Sequence, residues 1–540
     1  LALSVRLLVA GELPYPTTEP SAYYVDVARN FLAGDGLVSN GLWSYATPPL
    51  EVPKPAFELW LPMSTFVSAA AMSVLGSSYW AAQVGGALLG ALVAPLAWGI
   101  AREAGRAQAL DVRRCHAVAI ASGLLAAVLS PLVLASVVPD SYTPFTIFML
   151  ISALLVPRVL GVVDGVTEPG RRPVVVASLG LGIAMGLAYL SRQEVIWMGL
   201  TVLLMTWWVM RARPGGTRLR EGMAILWPVV LGGVLVVVPW LARNYVELGS
   251  PFPGQAIENL FLVENEDIFA FREHPDAATY LAQGAATVLT NPLRAVVDNF
   301  TSVILLPAFP VGIAGLISLV GLWRSPALRR PTALTAVLMC SVLIFVSTMV
   351  LFPVATLWGT FMHSSGPLLV GLGVMAALGG DALMARISRL RAWDRPNVMI
   401  APIALVSITF LFTVFQVRTF GLASNETEAR FETLAASLAA TAEAAGQELP
   451  ATFITDRPMW LAGTTERYAL ALPDEDIESI LELGDAFGTR WLVVADERGR
   501  YPDVLLDPAN RACLVAEPTS LQAPGGDAWL FLLADECSSA

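Results

Sequence analysis

Charge is scarce in this chain of 540 residues. Asp, Glu, Lys and Arg together make up 14% of it, where a soluble globular domain carries roughly 25%. That excludes a soluble enzyme. With 55% hydrophobic residues it excludes a disordered chain as well. Basic charge is the scarcer sign: 33 Lys and Arg against 44 Asp and Glu leave a net charge of -11 and a pI near 4.9. Nucleic acid needs a basic surface, so no such partner is expected. Four cysteines are too few for a disulfide scaffold. The three histidines, His116, His274 and His363, are scattered without metal-ligand spacing. No glycine fingerprint follows a strand, so a nucleotide site is not indicated. Lysine is all but missing: 32 of the 33 basic residues are arginine, and the exception is Lys54.

What the chain has instead is apolar runs near the length that crosses a bilayer. They read as spans at Tyr79–Ala101, Ala117–Val138, Tyr142–Val163, Pro173–Leu190, Val195–Met210, Met223–Ala242, Ser302–Trp323, Thr332–Phe352, Ser364–Met384 and Asn397–Arg418. A partial span at Leu1–Gly11, read as a truncated first helix, makes eleven. A cleaved signal peptide would show a basic start and a small-residue cleavage site, and neither is visible. Five short loops (102–116, 158–172, 211–222, 324–331 and 385–396) hold 18 arginines. The positive-inside rule puts them in the cytoplasm. Residues 12–78, the turns at 139–141 and 191–194, the loop 243–301, the turn 353–363 and the C-terminus then lie outside. Counting Phe57–Leu75 as a span would move the arginines at 102–114 outside. It is therefore read as an interfacial or re-entrant helix on the outer face, the alternative being a true span.

From Ser424 the composition changes. Residues 421–540 hold 7 arginines and 21 acidic residues, a net of -14. Glu426–Gln447 reads as an amphipathic helix and Asp474–Phe487 as a second helix with acids in its first turn. Thr452–Thr455, Arg467–Leu472, Arg490–Ala495, Ala512–Ala516 and Ala528–Leu533 read as short strands. The alternation predicts a small α/β domain at 421–540 behind a transmembrane domain at 1–420. Placed outside the membrane, Cys513 and Cys537 can oxidise, and a disulfide between them is expected; the alternative is two unpaired thiols.

The polar residues at span ends gather on the outer side. Glu19 is followed by Tyr23 and Tyr24, then by Ala28-Arg29-Asn30 and the turn Gly34-Asp35-Gly36. Lys54-Pro55-Ala56 leads to Trp60. Asp140 stands between two spans, Arg192 and Glu194 sit in a tight turn, Arg243 and Asn244 follow Pro239-Trp240, and His363 opens a span. Charges collected at one membrane face suggest a site there, although solvated loop charge is the usual fate of such residues.

Glu19 four before Tyr23, the Gly-x-Gly turn and the Lys-Pro segment together resemble the first outer loop of the GT-C membrane glycosyltransferases, the superfamily of the aminoarabinose transferases and protein O-mannosyltransferases. Asp140 falls where that family places a second acidic residue. Gly186-Leu187-Ala188-Tyr189-Leu190-Ser191-Arg192 and Pro239-Trp240-Leu241-Ala242-Arg243-Asn244 are similar to two further family segments, and His363-Ser364-Ser365-Gly366 to a late one. The resemblance covers almost all of the membrane part. It departs from the family where Pro20 replaces a second acid and Lys-Pro-Ala replaces Lys-Pro-Pro.

The resemblance implies an α-helical polytopic membrane protein in the cytoplasmic membrane of a bacterium, acting on the cell envelope. It would transfer a hexose or pentose from a polyprenyl-phosphate donor to an acceptor hydroxyl on a glycan, lipid or protein, with inversion. A carboxylate must take the hydroxyl proton, and a cation must stabilise the leaving phosphate. Glu19 is the expected base, with Asp140 orienting acceptor or sugar. Lys54 is the expected phosphate ligand, with Arg192 and Arg243 behind it. Tyr23, Tyr24, Trp60, Glu194, Asn244 and His363 would line the pocket. No cofactor is required; Glu19 and Asp140 are the pair that could hold a divalent ion. Two other classes compete. A transporter or flippase predicts charges and broken helices near the midplane. A non-catalytic scaffold predicts that Glu19 and Asp140 matter only for assembly.

Overall fold

The computed structural model describes residues 1–163, 166–167, 175–212, 218–252, 255–393, 398–496 and 498–537. Parts of the arginine-rich loops 158–172, 211–222 and 385–396 lie outside the described residues. The chain is a multi-pass membrane protein. Among the described residues seven helices are long and apolar enough to cross a membrane: Tyr79–Ala107, Tyr142–Val159, Gln193–Met210, Leu219–Leu248, Ala333–Leu351, Gly366–Leu390 and Ile400–Ala444. A bent pair, Val112–Val128 and Ser130–Val137, makes an eighth if counted as one span.

The expected count of eleven is therefore not reached on length. Ala2–Gly11, Val175–Tyr189 and Val311–Gly321 are apolar but shorter, and an α-helix rises only about 1.5 Å per residue. The run expected as one span at Ser302–Trp323 is divided. A π-helical turn at Phe300–Leu305 precedes Val311–Gly321, and Pro307 and Pro310 fall in the gap, where neither can donate a backbone bond. Met63–Leu75 is a separate helix of 13 residues, about 20 Å long and too short to span.

The bent pair has a local cause. Pro131 lacks the N–H that would reach the carbonyl of Ala127, and its ring crowds that carbonyl. The helices meet at 48°. Donors from elsewhere fill the freed carbonyls. Arg6, fully buried, donates to Ala126 O (3.4 Å), Ala127 O (3.3 Å) and Leu132 O (3.2 Å). Thr413 Oγ1 donates to Val128 O at 2.6 Å.

The first loop begins with the helix Glu19–Ala33, capped by Thr18, whose side chain accepts from Ser21 N. Short strands follow: β1 (Val38–Ser39), β2 (Gly41–Leu42) and β3 (Lys54–Pro55). β1 pairs antiparallel with β3, setting Ser39 opposite Lys54. β4 (Val162–Val163) and β5 (Val166–Thr167) form a separate antiparallel pair.

The C-terminal region is the expected α/β arrangement, with two differences. β6 (Thr452–Thr455), β7 (Tyr468–Ala471), β8 (Trp491–Val494), β9 (Thr519–Ala523) and β10 (Gly526–Leu532) form a sheet ordered β2-β7-β6-β8-β10-β9. Its outermost parallel strand, β2, comes from the first loop: Gly41 and Leu42 pair with Ala469 and Leu470. A Cβ on Gly41 would meet the tip of the flexible Met459 side chain, which would have to shift. Residues 512–516 are not a strand. A 3-10 turn, Pro508–Cys513, covers their start, Leu514 makes an isolated antiparallel bridge to Leu533, and β9, unexpected from the sequence, forms the other edge. Cys513 and Cys537 form a disulfide. The boundary expected near 420 lies inside one continuous helix, Ile400–Ala444, so no linker separates the two parts. One hydrophobic cluster joins first-loop aromatics such as Tyr23, Trp43 and Phe57 to sheet residues such as Ile454 and Leu492.

Candidate active site

Asp140 follows the bent pair and precedes the helix Tyr142–Val159. The position lets it cap the new helix: Oδ1 accepts from Tyr142 N at 2.9 Å and from Ser141 Oγ at 3.1 Å. His363 Nδ1 lies 2.9 Å from the same oxygen. No donor among the described residues reaches Oδ2. Burial alone would push this carboxyl up. His363, the Tyr142 N–H and Arg192 outweigh burial and hold it at about 2. Asp140 is therefore an ionised, buried carboxylate with one oxygen uncommitted.

His363 belongs to the short helix Thr360–Ser364, which starts from Gly359 in the left-handed region at φ +116. A Cβ on Gly359 would also stand 3.2 Å from His363 Nε2. Arg192 ties the pieces together. Its Nη1 donates to Ser141 Oγ at 3.1 Å and its Nη2 to Thr360 O at 3.2 Å. Nε and Nη2 grip Glu194 Oε1 at 3.0 and 2.6 Å. Tyr24 reaches the same cluster from the first loop: burial raises its phenol, and the charge of Asp140 raises it further. Asp140, Arg192, Glu194, His363 and Tyr24 are thus brought together from four separate stretches of sequence.

Lys54, Arg243 and Glu58 make a neighbouring group. The Lys54 ammonium, buried, donates to Thr47 O and to Pro49 O (2.6 Å) and faces Glu58 Oε2 at 3.3 Å. Two hydrogen bonds to carbonyls and one ion pair thus hold it. Burial raises the Glu58 carboxyl to about 7 against the pull of Lys54. Arg243 holds the same segment from the end of a span, with Nη1 on Ala56 O (2.7 Å) and Nη2 on Leu37 O (3.2 Å), its guanidinium over the Trp240 ring. Asn244 is buried beside it, 3.4 Å from Arg243 Nη1. Phe57 adopts φ +76, a conformation that costs a bulky residue about 1–3 kcal/mol. Its N–H reaches Tyr23 Oη at 2.7 Å. Tyr23 and Trp43 both pack on Trp60, with ring centroids 4.6 and 4.7 Å away. The sequence marks Phe57 and Glu58 only as part of the unusual segment Phe57-Glu58-Leu59-Trp60, without a role, and does not mark Trp43. The one local hint was the spacing of Glu58 four residues after Lys54.

Glu19 does not join these groups. Its Oε2 accepts from Met459 N and its Oε1 from Trp460 N, both at 3.0 Å, at the start of the helix Pro458–Thr465. Helix N-termini attract carboxylates for this reason. Burial raises the Glu19 carboxyl to about 7, opposed by those two N–H groups and by Arg457 and Arg498. Each oxygen of Glu19, the expected base, thus accepts one backbone N–H of the C-terminal domain, which makes it a docking contact to that domain. The charges that act most on Glu19 are Arg457 and Arg498, and those that act most on Asp140 are His363 and Arg192. No cluster of three or more His, Cys, Asp or Glu among the described residues is arranged to hold a metal ion. The loop 243–301 is fastened to the same domain by Glu475 Oε1, which accepts from Phe271, Arg272 and Glu273 N at 2.7, 2.8 and 3.0 Å.

No protein-family model and no curated protein matches the sequence. Solved structures match over its whole length. ArnT from Cupriavidus metallidurans in the apo state has a TM-score of 0.57 at 15% identity, covering 100% of this chain and 97% of that one. ArnT bound to undecaprenyl phosphate gives 0.55 at 15%, covering 99% and 97%. The oligosaccharyltransferase AglB from Archaeoglobus fulgidus, in complex with an inhibitory peptide and a dolichol-phosphate, gives 0.53 at 11%, covering 99% and 74%. At these identities the likeness is one of fold, and it is the GT-C-type fold that the first-loop motifs implied.

Proposed function

We propose that this chain is a membrane glycosyltransferase that moves a sugar from a polyprenyl-phosphate carrier to an acceptor hydroxyl, with inversion, at the outer face of the cytoplasmic membrane. The observation that carries the reading is the open oxygen of Asp140, beside Arg192, in a fold shared end to end with a protein solved with undecaprenyl phosphate bound. The arginine-rich loops support the sidedness, because they alternate with the loops that build this site.

In this reading the acceptor hydroxyl attacks the anomeric carbon, the bond from that carbon to the phosphate oxygen breaks, and the hydroxyl proton passes to Asp140 Oδ2. A carboxylate near 2 stays ionised at physiological pH and takes the proton late, once bonding to the oxocarbenium-like carbon has made the attacking hydroxyl acidic. His363 and Tyr142 N hold the other oxygen and fix the carboxylate plane. Arg243, half-exposed at the end of its span, meets the lipid phosphate first. Lys54 joins when the phosphate displaces Glu58, whose raised pKa lets it leave as the neutral acid. The test is release of free lipid phosphate from a radiolabelled polyprenyl-phosphate sugar by purified protein in nanodiscs. Asp140→Asn should lower the rate by about 10²–10⁴-fold. Equal rates for wild type and Asp140→Asn would overturn the reading.

A flippase reading draws on one observation, a broken helix with a buried charge at its break. Arg6, however, hydrogen-bonds only backbone carbonyls there. It completes the break instead of lining a path.

A further inference from the structure

A second polar site lies away from the Asp140 cluster. A cleft of about 690 Å³ opens where the helix Glu19–Ala33 meets the C-terminal sheet. Ligand sites usually measure about 300–1,000 Å³. Among its walls are Asp26, Arg29, Asn40, Glu466, Arg467 and Tyr468. Much of their bonding capacity is unspent. Arg29 commits only Nε, to Ser77 O. Asn40 uses its amide on Asp26 and Asn30 and keeps Oδ1. Among the described residues Glu466, Arg467 and the Tyr468 hydroxyl make no side-chain hydrogen bond or ion pair. Glu466 is the C-cap of the helix Pro458–Thr465, at φ +54.

The wall chemistry narrows the ligand. Two carboxylates face two guanidiniums, so the cleft is close to neutral and offers an anionic chain no net attraction. The only apolar side chains in the wall are Ala451 and Ala462, too small to anchor a peptide side chain or a lipid tail. Planar amide, carboxylate and guanidinium groups beside one tyrosine suit a neutral polyhydroxylated ligand. The cleft is also wired to the first-loop strands. Ala469 N, next to Tyr468, donates to Asn40 O at 3.1 Å, and Ser39, next to Asn40, pairs with Lys54.

We propose that this cleft binds the acceptor as a neutral oligosaccharide and feeds its end toward the Lys54 side of the first loop. The inference rests on the glycosyltransferase reading above. The test uses the full-length protein in nanodiscs and two probes, a neutral manno-hexasaccharide and a neutral arabino-hexasaccharide, followed by saturation-transfer NMR and calorimetry. A short Ser/Thr-rich peptide and an oligogalacturonate serve as competitors. At least one neutral oligosaccharide should bind. Arg467→Ala, Arg29→Ala and Tyr468→Phe, which leave the core intact, should together weaken it by about tenfold or more. Acceptor-independent release of lipid phosphate should stay unchanged in that variant. Binding of only the peptide or the oligogalacturonate, binding of neither sugar, or unaltered affinity in the variant would each overturn the inference. The two readings fail separately. Wild type that releases no lipid phosphate defeats the proposed function. Release without oligosaccharide binding defeats only the cleft.

Discussion

Replacing Glu19 separates docking from chemistry. Each of its oxygens accepts one backbone N–H, from Met459 and Trp460, at 3.0 Å. Glutamine keeps one acceptor and turns an NH2 toward the other N–H. One buried donor is then orphaned, at a cost of about 1–3 kcal/mol. Glu19→Ala orphans both, for about 2–6 kcal/mol before water enters. The loss falls on the attachment of the helix Pro458–Thr465. The assay is hydrogen exchange across that helix in nanodiscs, alongside release of lipid phosphate. Glu19→Gln should exchange faster there yet keep its rate within about tenfold, while Asp140→Asn falls by about 10² or more. If Glu19→Gln loses as much rate as Asp140→Asn with exchange unchanged, Glu19 is the base and the reasoning is wrong. A pH series adds a second reading. Burial raises the Glu19 carboxyl from 4.5 to about 7, so the folded state holds this proton more tightly than the unfolded chain. Its stabilisation is complete below about pH 4.5 and is lost as pH climbs through about 7. Exchange corrected for its intrinsic rate should therefore speed up over that window in wild type and be flat in Glu19→Gln.

Two further outcomes are expected. Gly359→Ala puts a Cβ at φ +116 against His363 Nε2, so it should destabilise the turn by about 1–3 kcal/mol and slow phosphate release by displacing His363 from Asp140; an unaltered rate would show that this contact does not matter. Cys513→Ser with Cys537→Ser should lower the resistance of the C-terminal region to denaturant by about 2–4 kcal/mol, an effect that reductant mimics in wild type and that an unchanged unfolding midpoint would contradict.

The amino-acid order made the membrane architecture legible because apolar runs and arginine loops are local signals. β6 occupies the residues expected of it, and β7, β8 and β10 lie within a residue or two of theirs. The failures have a common cause. β2 has two residues and acquires meaning only from β7, far along the chain. The span at 302–323 is apolar throughout, yet its prolines divide it. Asp140, Arg192, Glu194 and His363 stood out as polar residues at span ends, and they do meet. Glu19 stood out by the same signal, but where its oxygens point depends on Met459 and Trp460, whose approach no local pattern reveals.

That long-range closure has a consequence for synthesis. Glu19 and Met459 are 440 positions apart, and Tyr45 finds its acceptor, Ala471 O, 426 positions later. At roughly 5–20 residues per second, the ribosome leaves the first loop without these partners for roughly 20–90 s. During that interval the Glu19 carboxylate and the unpaired edge of β2 lack their C-terminal partners. The loop that holds Lys54 is thus closed only once the C-terminal strands exist, long after the loop itself is made. A chain released early would carry its membrane helices but not this loop in its final form.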